Sequence, residues 1–338
     1  MSGNDLFAQQ RANRRRSAFL VAGFVLLFAW IGFGGDLSWY LATRDAPGAG
    51  YHHVVPFLGL LSSGLAGGIA WYSWHRGAFK VLGATGAWEL LEPGDEAQKR
   101  LVNVVEEMAI ASGLPRPRIW IVPDSDPNAF ATGQGPMAAH VAVTAGLLDT
   151  LDRDELQAVI AHEMAHIQNL DVRLMTLMAA MVGTIALMSD TMQRFLRLGG
   201  HRRGGGKEGG KGSPIALLVF VLWLLSMLVA PLLARLMAMA VSRKREYLAD
   251  ATAAQFTRNP DALARALARI EGATGSTRSI ARGAAHMCIV DPAERRMAAR
   301  EGLVGDLFAS HPPMRLRISR LKGMAYQFAK AAPGDRVV

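Results

Sequence analysis

Three residues in the stretch "AHEMAH", 161–166, have the types and spacing that hydrolysis on a metal ion requires. His162, Glu163 and His166 stand as H-E-x-x-H. On a helix, positions four apart share a face, so both imidazoles can reach one ion. Glu163 is then aimed beside the ion rather than at it, where a carboxylate can take a proton from a water. A catalytic zinc has three protein ligands and one open position, so a third ligand must come from elsewhere. The best-placed candidate is Glu246 in "SRKREYLADATAA", 242–254, because Asp250 follows it by one helical turn. A second carboxylate so placed can hold a ligand histidine by its other ring nitrogen. E-x-x-x-D alone is also the pattern of a solvated helix face.

The elements that position these residues are legible nearby. "DRDELQAVIAHEMAH", 152–166, begins with a candidate cap, Asp152, followed three residues on by Glu155, so a helix carries the H-E-x-x-H. "DEAQKRLVNVVEEMAIASG", 95–113, has apolar residues at helical spacing and ends on glycine. "RIWIV", 118–122, and "HVAVT", 140–144, are short runs with strand character. Between them "PNAFATGQGP", 127–136, is bounded by proline and glycine and reads on its own as a loop.

Four apolar blocks surround this aqueous part: 18–35, 54–74, 174–189 and 214–234, all without charge. A helix needs about 20 residues to cross the hydrocarbon of a bilayer. The second and fourth blocks have that length, the first nearly does, and the third is short. The expected order is a basic cytoplasmic N-terminus, 1–17, then spans at 18–35 and 54–74. The first part of the catalytic domain follows at 77–173, then an apolar segment, 174–192, that spans or re-enters. A glycine-rich basic loop, 193–213, and a fourth span, 214–242, precede the second part of the domain, 243–330, and a frayed tail, 331–338. Arginines before the first block favour a cytoplasmic N-terminus. A cleaved signal peptide is the alternative, but the apolar stretch is long and no clear small-x-small site follows it. Gly64 and Gly68 form a GxxxG usable for helix packing.

A formal net charge of +9 is compatible with nucleic-acid binding, but its placement argues against it. Residues 1–16 carry four arginines against Asp5, and 194–211 carry six Arg or Lys against Glu208. Both segments flank apolar blocks, where basic residues face lipid or set topology. The single cysteine, Cys288, excludes an internal disulfide. Met175, Met178 and Met181 recur at helical spacing, which packing in a helix explains better than copper. The other histidines before residue 290, His140 among them, lack ligand spacing.

HEMAH, then EYLAD after two apolar blocks, "PNAFATG" before them and "SHPPMRLRI" after them together resemble the HtpX-like membrane zinc metalloproteases, relatives of the CAAX prenyl endopeptidases. "AHMCIVDP", 285–292, resembles a further segment of the HtpX branch. The resemblance runs from about residue 15 to 325 in the same order. It implies an α-helical membrane protein with an α+β zincin-type catalytic domain, a small β-sheet lying beside the HExxH helix. It implies one zinc ion per chain on His162, His166 and Glu246, with Glu163 as catalytic base. Asn128, Ala129, Phe130, Ala131, Thr132 and Gly133 resemble a substrate-binding edge strand, which reads an extended chain by its backbone. His311 aligns with an HP motif and would donate to the oxyanion. Arg317 aligns with the arginine after it, and Asp171 with a position beside the ligands. Expected partners are unfolded or membrane-protein substrates and the lipid bilayer, with no nucleic acid. The expected place is a bacterial inner membrane with the catalytic domain cytoplasmic, in quality control under stress. The alternatives are prenyl-peptide processing of the CAAX type and a silent membrane scaffold with a zinc site.

Overall fold

The computed structural model describes residues 3–43, 55–181, 217–226, 243–273, 287–289 and 312–331. They fall into two compact units. One comprises Met1–Ser17, Arg76–Ala180 and Ala238–Val338, the other Ala18–His75 and Met181–Met237. Helices α1 (Gly3–Thr43) and α2 (Phe57–Ala84) each contribute to both.

The first unit is built on a four-stranded mixed sheet in the order β1-β2-β4-β3. Its strands are β1 (Trp88–Glu89), β2 (Arg118–Val122), β3 (Ala129–Gly133) and β4 (Ala139–Thr144). β2 and β4 run parallel; β1 and β3 pair antiparallel to their neighbours. Successive strand residues point to opposite faces. Ile119, Ile121, Ala129, Ala131, Val141 and Val143 enter one core, and Val122, Phe130 and Ala142 enter another. Helices on both faces explain why all six residues of β4 are buried.

α3 (Glu96–Ser112) and α5 (Arg153–Gln168) cover the first face. α3 buries Leu101, Val104, Val105, Met108 and Ala109, one stripe at helical spacing. Asp95 caps its start and Gly113, at φ 68°, ends it in the left-handed region that favours glycine. α4 (Ala145–Thr150) leads from β4 toward α5. α5 opens with both halves of the capping box present, Asp152 and Glu155 each accepting from the other's backbone N–H, at 2.9 and 3.1 Å. α6 (Arg243–Thr257) and α7 (Pro260–Gly272) pack on α5, and α8 (Met314–Ala331) packs on both. Val81 and Leu82 of α2, with Met175 and Ala179 from the helical stretch 171–181, cover the second face.

In the second unit the Asp36 carboxylate accepts from the backbone N–H groups of Leu58 and Gly59, at 3.3 and 2.8 Å, and so caps the start of α2. Among the described residues the close contact of α1 with α2 is made at Gly32 and Gly59 rather than at the Gly64 and Gly68 pair. A Cβ on Gly32 would lie 1.9 Å from Ser62 Oγ, whereas one on Gly64 or Gly68 meets no described atom within 4 Å. Among the described residues one helix, Ala8–Leu41, is long and apolar enough to cross a membrane. The third apolar block is described only as far as residue 181 and the fourth only over 217–226, where it is an apolar helix.

Candidate metal centre

α5 presents His162, Glu163 and His166 on buried positions, and α6 lays Glu246 and Asp250 against them. His162 Nε2 and His166 Nε2 lie 3.1 Å apart. Glu246 places one oxygen 3.6 Å from the first and the other 3.7 Å from the second. Ligands about 2.1 Å from a tetrahedral zinc are separated by about 3.4 Å, so this triangle has the size of such an ion's coordination face. The Nδ1 of each ring faces a carboxylate. Asp250 Oδ1 is 3.0 Å from His162 Nδ1 and Asp171 Oδ2 is 3.1 Å from His166 Nδ1. That arrangement leaves both Nε2 atoms turned to one point.

The charges fit a dication as well. Four carboxylates (Glu163, Asp171, Glu246 and Asp250) and two guanidinium groups (Arg245 and Arg317) are buried around this point. Four negative against two positive leaves two negative charges, and buried charge must be matched. Without a metal the cluster draws in a proton. Burial pulls the His162 pKa down, but the neighbouring Asp250 and Glu246 carboxylates outweigh that and push it up to about 9. Burial raises the Glu163 carboxyl above its ordinary value, with His162 and His166 opposing.

Arg317, fully buried, forks onto Asp250 with Nε at 2.9 Å and Nη2 at 2.7 Å. Its Nη1 donates to the Ile289 carbonyl at 3.3 Å and lies 3.6 Å from Glu246 Oε2. Burial works against this charge, but Asp250 outweighs it and raises the pKa, while Arg317 in turn helps hold the Asp250 carboxyl below its ordinary value.

The stretch 129–133, a loop by its own residues, is strand β3 at the edge of the sheet, as the family resemblance implied. Its side chains are turned inward. Phe130 fills the second core, and Thr132 Oγ1 meets Thr176 Oγ1 at 2.8 Å. Asn128 is buried too, its backbone tied to Thr144. What the strand offers is main chain. The Ala131 main chain favours the ionised form of the Glu163 carboxyl. Part of the edge is already used. Ile289 N–H donates to Ala129 O at 2.9 Å, and Cys288 bridges antiparallel to Phe130. At the far end Thr176 Oγ1 accepts from Gly133 N–H at 3.0 Å. Gly133 sits at φ 142°, and a Cβ there would lie 2.3 Å from the Ala138 carbonyl oxygen, so the position requires glycine.

The structure therefore brings together His162, Glu163, His166, Asp171, Glu246, Asp250 and Arg317, with β3 beside them. His311 lies outside the described residues. The sequence did not single out Arg245, whose Nη1 is 3.6 Å from Asp171, nor Thr176, nor Asn13, which donates to Asp171. Arg245 could have been noticed beside Glu246; the other two carry no local signal. His140 is a core residue, accepting from Trp120 Nε1 at 3.1 Å.

The profile of Peptidase family M48 matches residues 95–325. A protein named Protease HtpX homolog from Tropheryma whipplei (strain TW08/27) is 45% identical over 229 residues, 68% of this chain and 74% of that one. Proteins of the same name from Streptococcus gordonii and Thermoanaerobacter pseudethanolicus are 35% and 36% identical, covering 94% and 96% of this chain and 100% and 99% of their own. The crystal structure of S. mikatae Ste24p aligns over 94% of this chain and 89% of its own at 19% identity, with a TM-score of 0.39. With the profile spanning more than half of its length and relatives matching it almost end to end, the chain belongs to peptidase family M48.

Proposed function

We propose that this chain is a membrane-anchored zinc endopeptidase that cuts unfolded or membrane-embedded proteins at the cytoplasmic face of a bacterial inner membrane. The observation that carries the reading is the convergence of two Nε2 atoms and the Glu246 carboxylate within 3.1–3.7 Å, inside a cluster two charges short of neutrality. His162, His166 and Glu246 would hold the ion. When bound, zinc supplies a Lewis acid that polarises a water and the scissile carbonyl. Glu163 takes the proton from that water and delivers it to the departing amine. Burial lifts its pKa toward the working range, which suits a group that must both accept and give. Asp171 hydrogen-bonds His166 Nδ1 and Asp250 stands 3.0 Å from His162 Nδ1, which favours the tautomers whose Nε2 would hold the ion. Backbone groups of β3 near Ala131 align the substrate as an added strand, and His311 donates to the oxyanion.

Ala8–Leu41 supports the membrane anchor, and the basic residues ahead of the apolar stretch support a cytoplasmic N-terminus. A site held close to lipid suits quality control of membrane proteins. The test compares wild type with Glu163→Gln on an unfolded protein substrate, with zinc content measured in both. Equal zinc with turnover lowered at least about 100-fold supports the reading. Equal cleavage by the two sinks it, and zinc without cleavage in either points to a scaffold.

A further inference from the structure

We infer that Asn13, in the arginine-rich stretch ahead of the first apolar block, is a positioning residue for the metal centre, acting through Asp171 on His166. This inference rests on the zinc reading given above.

Its surroundings mark it out. Arg11, Arg14, Arg15 and Arg16 are exposed, while Asn13 and Ser17 are fully buried and Gln10 is half-buried. Positions 10, 13 and 17 form one helical stripe, and it is polar throughout. A polar face is not buried for its hydrophobicity, so specific bonds must dock it, and Gln10 and Asn13 make them. Gln10 Nε2 donates to Gln168 O at 2.8 Å, and Asn13 Nδ2 donates to Asn169 O at 3.0 Å and to Asp171 Oδ1 at 2.6 Å. The two carbonyls belong to the last residue of α5 and to its C-cap, where a helix leaves acceptors without intrahelical partners. Arg16 Nη1 lies 3.4 Å from Asn13 Oδ1, which fixes the orientation of the amide.

The turn that follows α5 explains why such a brace is needed. Leu170 adopts φ 59°, a left-handed conformation that costs a residue with a Cβ about 1 kcal/mol. This reversal swings Asp171 back toward His166. Asn13 bonds the residue on each side of Leu170 and so holds the reversal closed. Asp171 then has one oxygen on Asn13 and the other on His166 Nδ1. Without Asn13, Arg245 at 3.6 Å is what the first oxygen keeps among the described residues, and the carboxylate is held less tightly. His166 then loses the support that aims its Nε2.

The experiment uses the full chain in detergent or nanodiscs and reads the rate of zinc loss to EDTA together with kcat and KM. Asn13→Ala is expected to speed zinc loss about 10-fold and to lower kcat to match, with KM unchanged, as for other residues behind metal ligands. In an Asp171→Ala background the same substitution should add nothing. Gln10→Ala, which breaks only the neighbouring bond to Gln168, should behave as wild type. Should Asn13→Ala fail to accumulate, Asn13→Asp keeps the size, removes both donors and is expected to lose zinc at least as fast. The inference is overturned if Asn13→Ala releases zinc at the wild-type rate, if its effect is the same with and without Asp171, or if Gln10→Ala does equal damage. A wild-type protein that holds no zinc overturns the metal reading and this inference with it. Normal zinc in the wild type beside unchanged release in Asn13→Ala overturns this inference alone.

Discussion

The two imidazoles are braced by different chemistry. Behind His162 stands Asp250, gripped by both arms of a fully buried Arg317. Behind His166 stands Asp171, bonded by a neutral amide from α1, with a guanidinium 3.6 Å away. A bidentate charge-assisted pair is stiff and costly to break. An amide brace is weaker, but it comes from a different part of the chain. One imidazole is therefore anchored within the second half of the catalytic domain. The other depends on residues that precede the whole of it.

The comparison is easiest to break at the stiff side. Arg317→Ala leaves Asp250 buried without its counter-charge, and a loss of about 3–5 kcal/mol in stability is expected on thermal unfolding. Arg317→Lys should recover little of it, because a single ammonium cannot match the fork. Stripping the metal acts on both sides together. Chelation leaves the buried carboxylates to be balanced by protons in place of the ion, so the metal-free wild type should melt at a lower temperature than the loaded protein, and added zinc should restore it. The carboxylates sharpen the contrast. Asp171→Asn should speed zinc release about 10-fold, and Asp250→Asn should do more, because it also strands Arg317.

The smallest effect lies away from the centre. Burial, helped by the nearby Arg118, holds the His140 pKa down to about 4. A histidine whose folded pKa is depressed contributes stability fully above its unfolded value near 6.5 and loses it as pH falls toward 4. At pH 5 the loss is up to about 2 kcal/mol. Thermal melts at pH 7 and pH 5 should show this drop in wild type, and His140→Gln, which cannot take up a proton, should flatten it.

Local spacing carried much of this site into view. The turn period of a helix puts His162, Glu163 and His166 together. The three-residue offset of Asp152 and Glu155 announces where that helix begins, and both halves of the box are formed. Glu246 and Asp250 needed the family resemblance, since their pattern also suits a solvated helix. β3 needed it too: small residues between proline and glycine read as a loop until β4 is there to pair with them. Contacts between distant segments had no such signal. Asn13 and Asp171 are 158 positions apart, and nothing in a run of arginines marks the one asparagine that turns inward. Among the described residues the close contact between α1 and α2 falls at Gly32 and Gly59 rather than at the spaced pair Gly64 and Gly68. GxxxG records small residues one turn apart but not which neighbour they face.

Ile289 and Thr176 have one more effect where they close the two ends of β3. An open sheet margin invites any passing strand, including one from another copy of the same chain. With both ends taken, less of this margin is left open to such pairing. On the proposed function, a substrate chain would find only the short length of main chain beside Glu163 between these two closures.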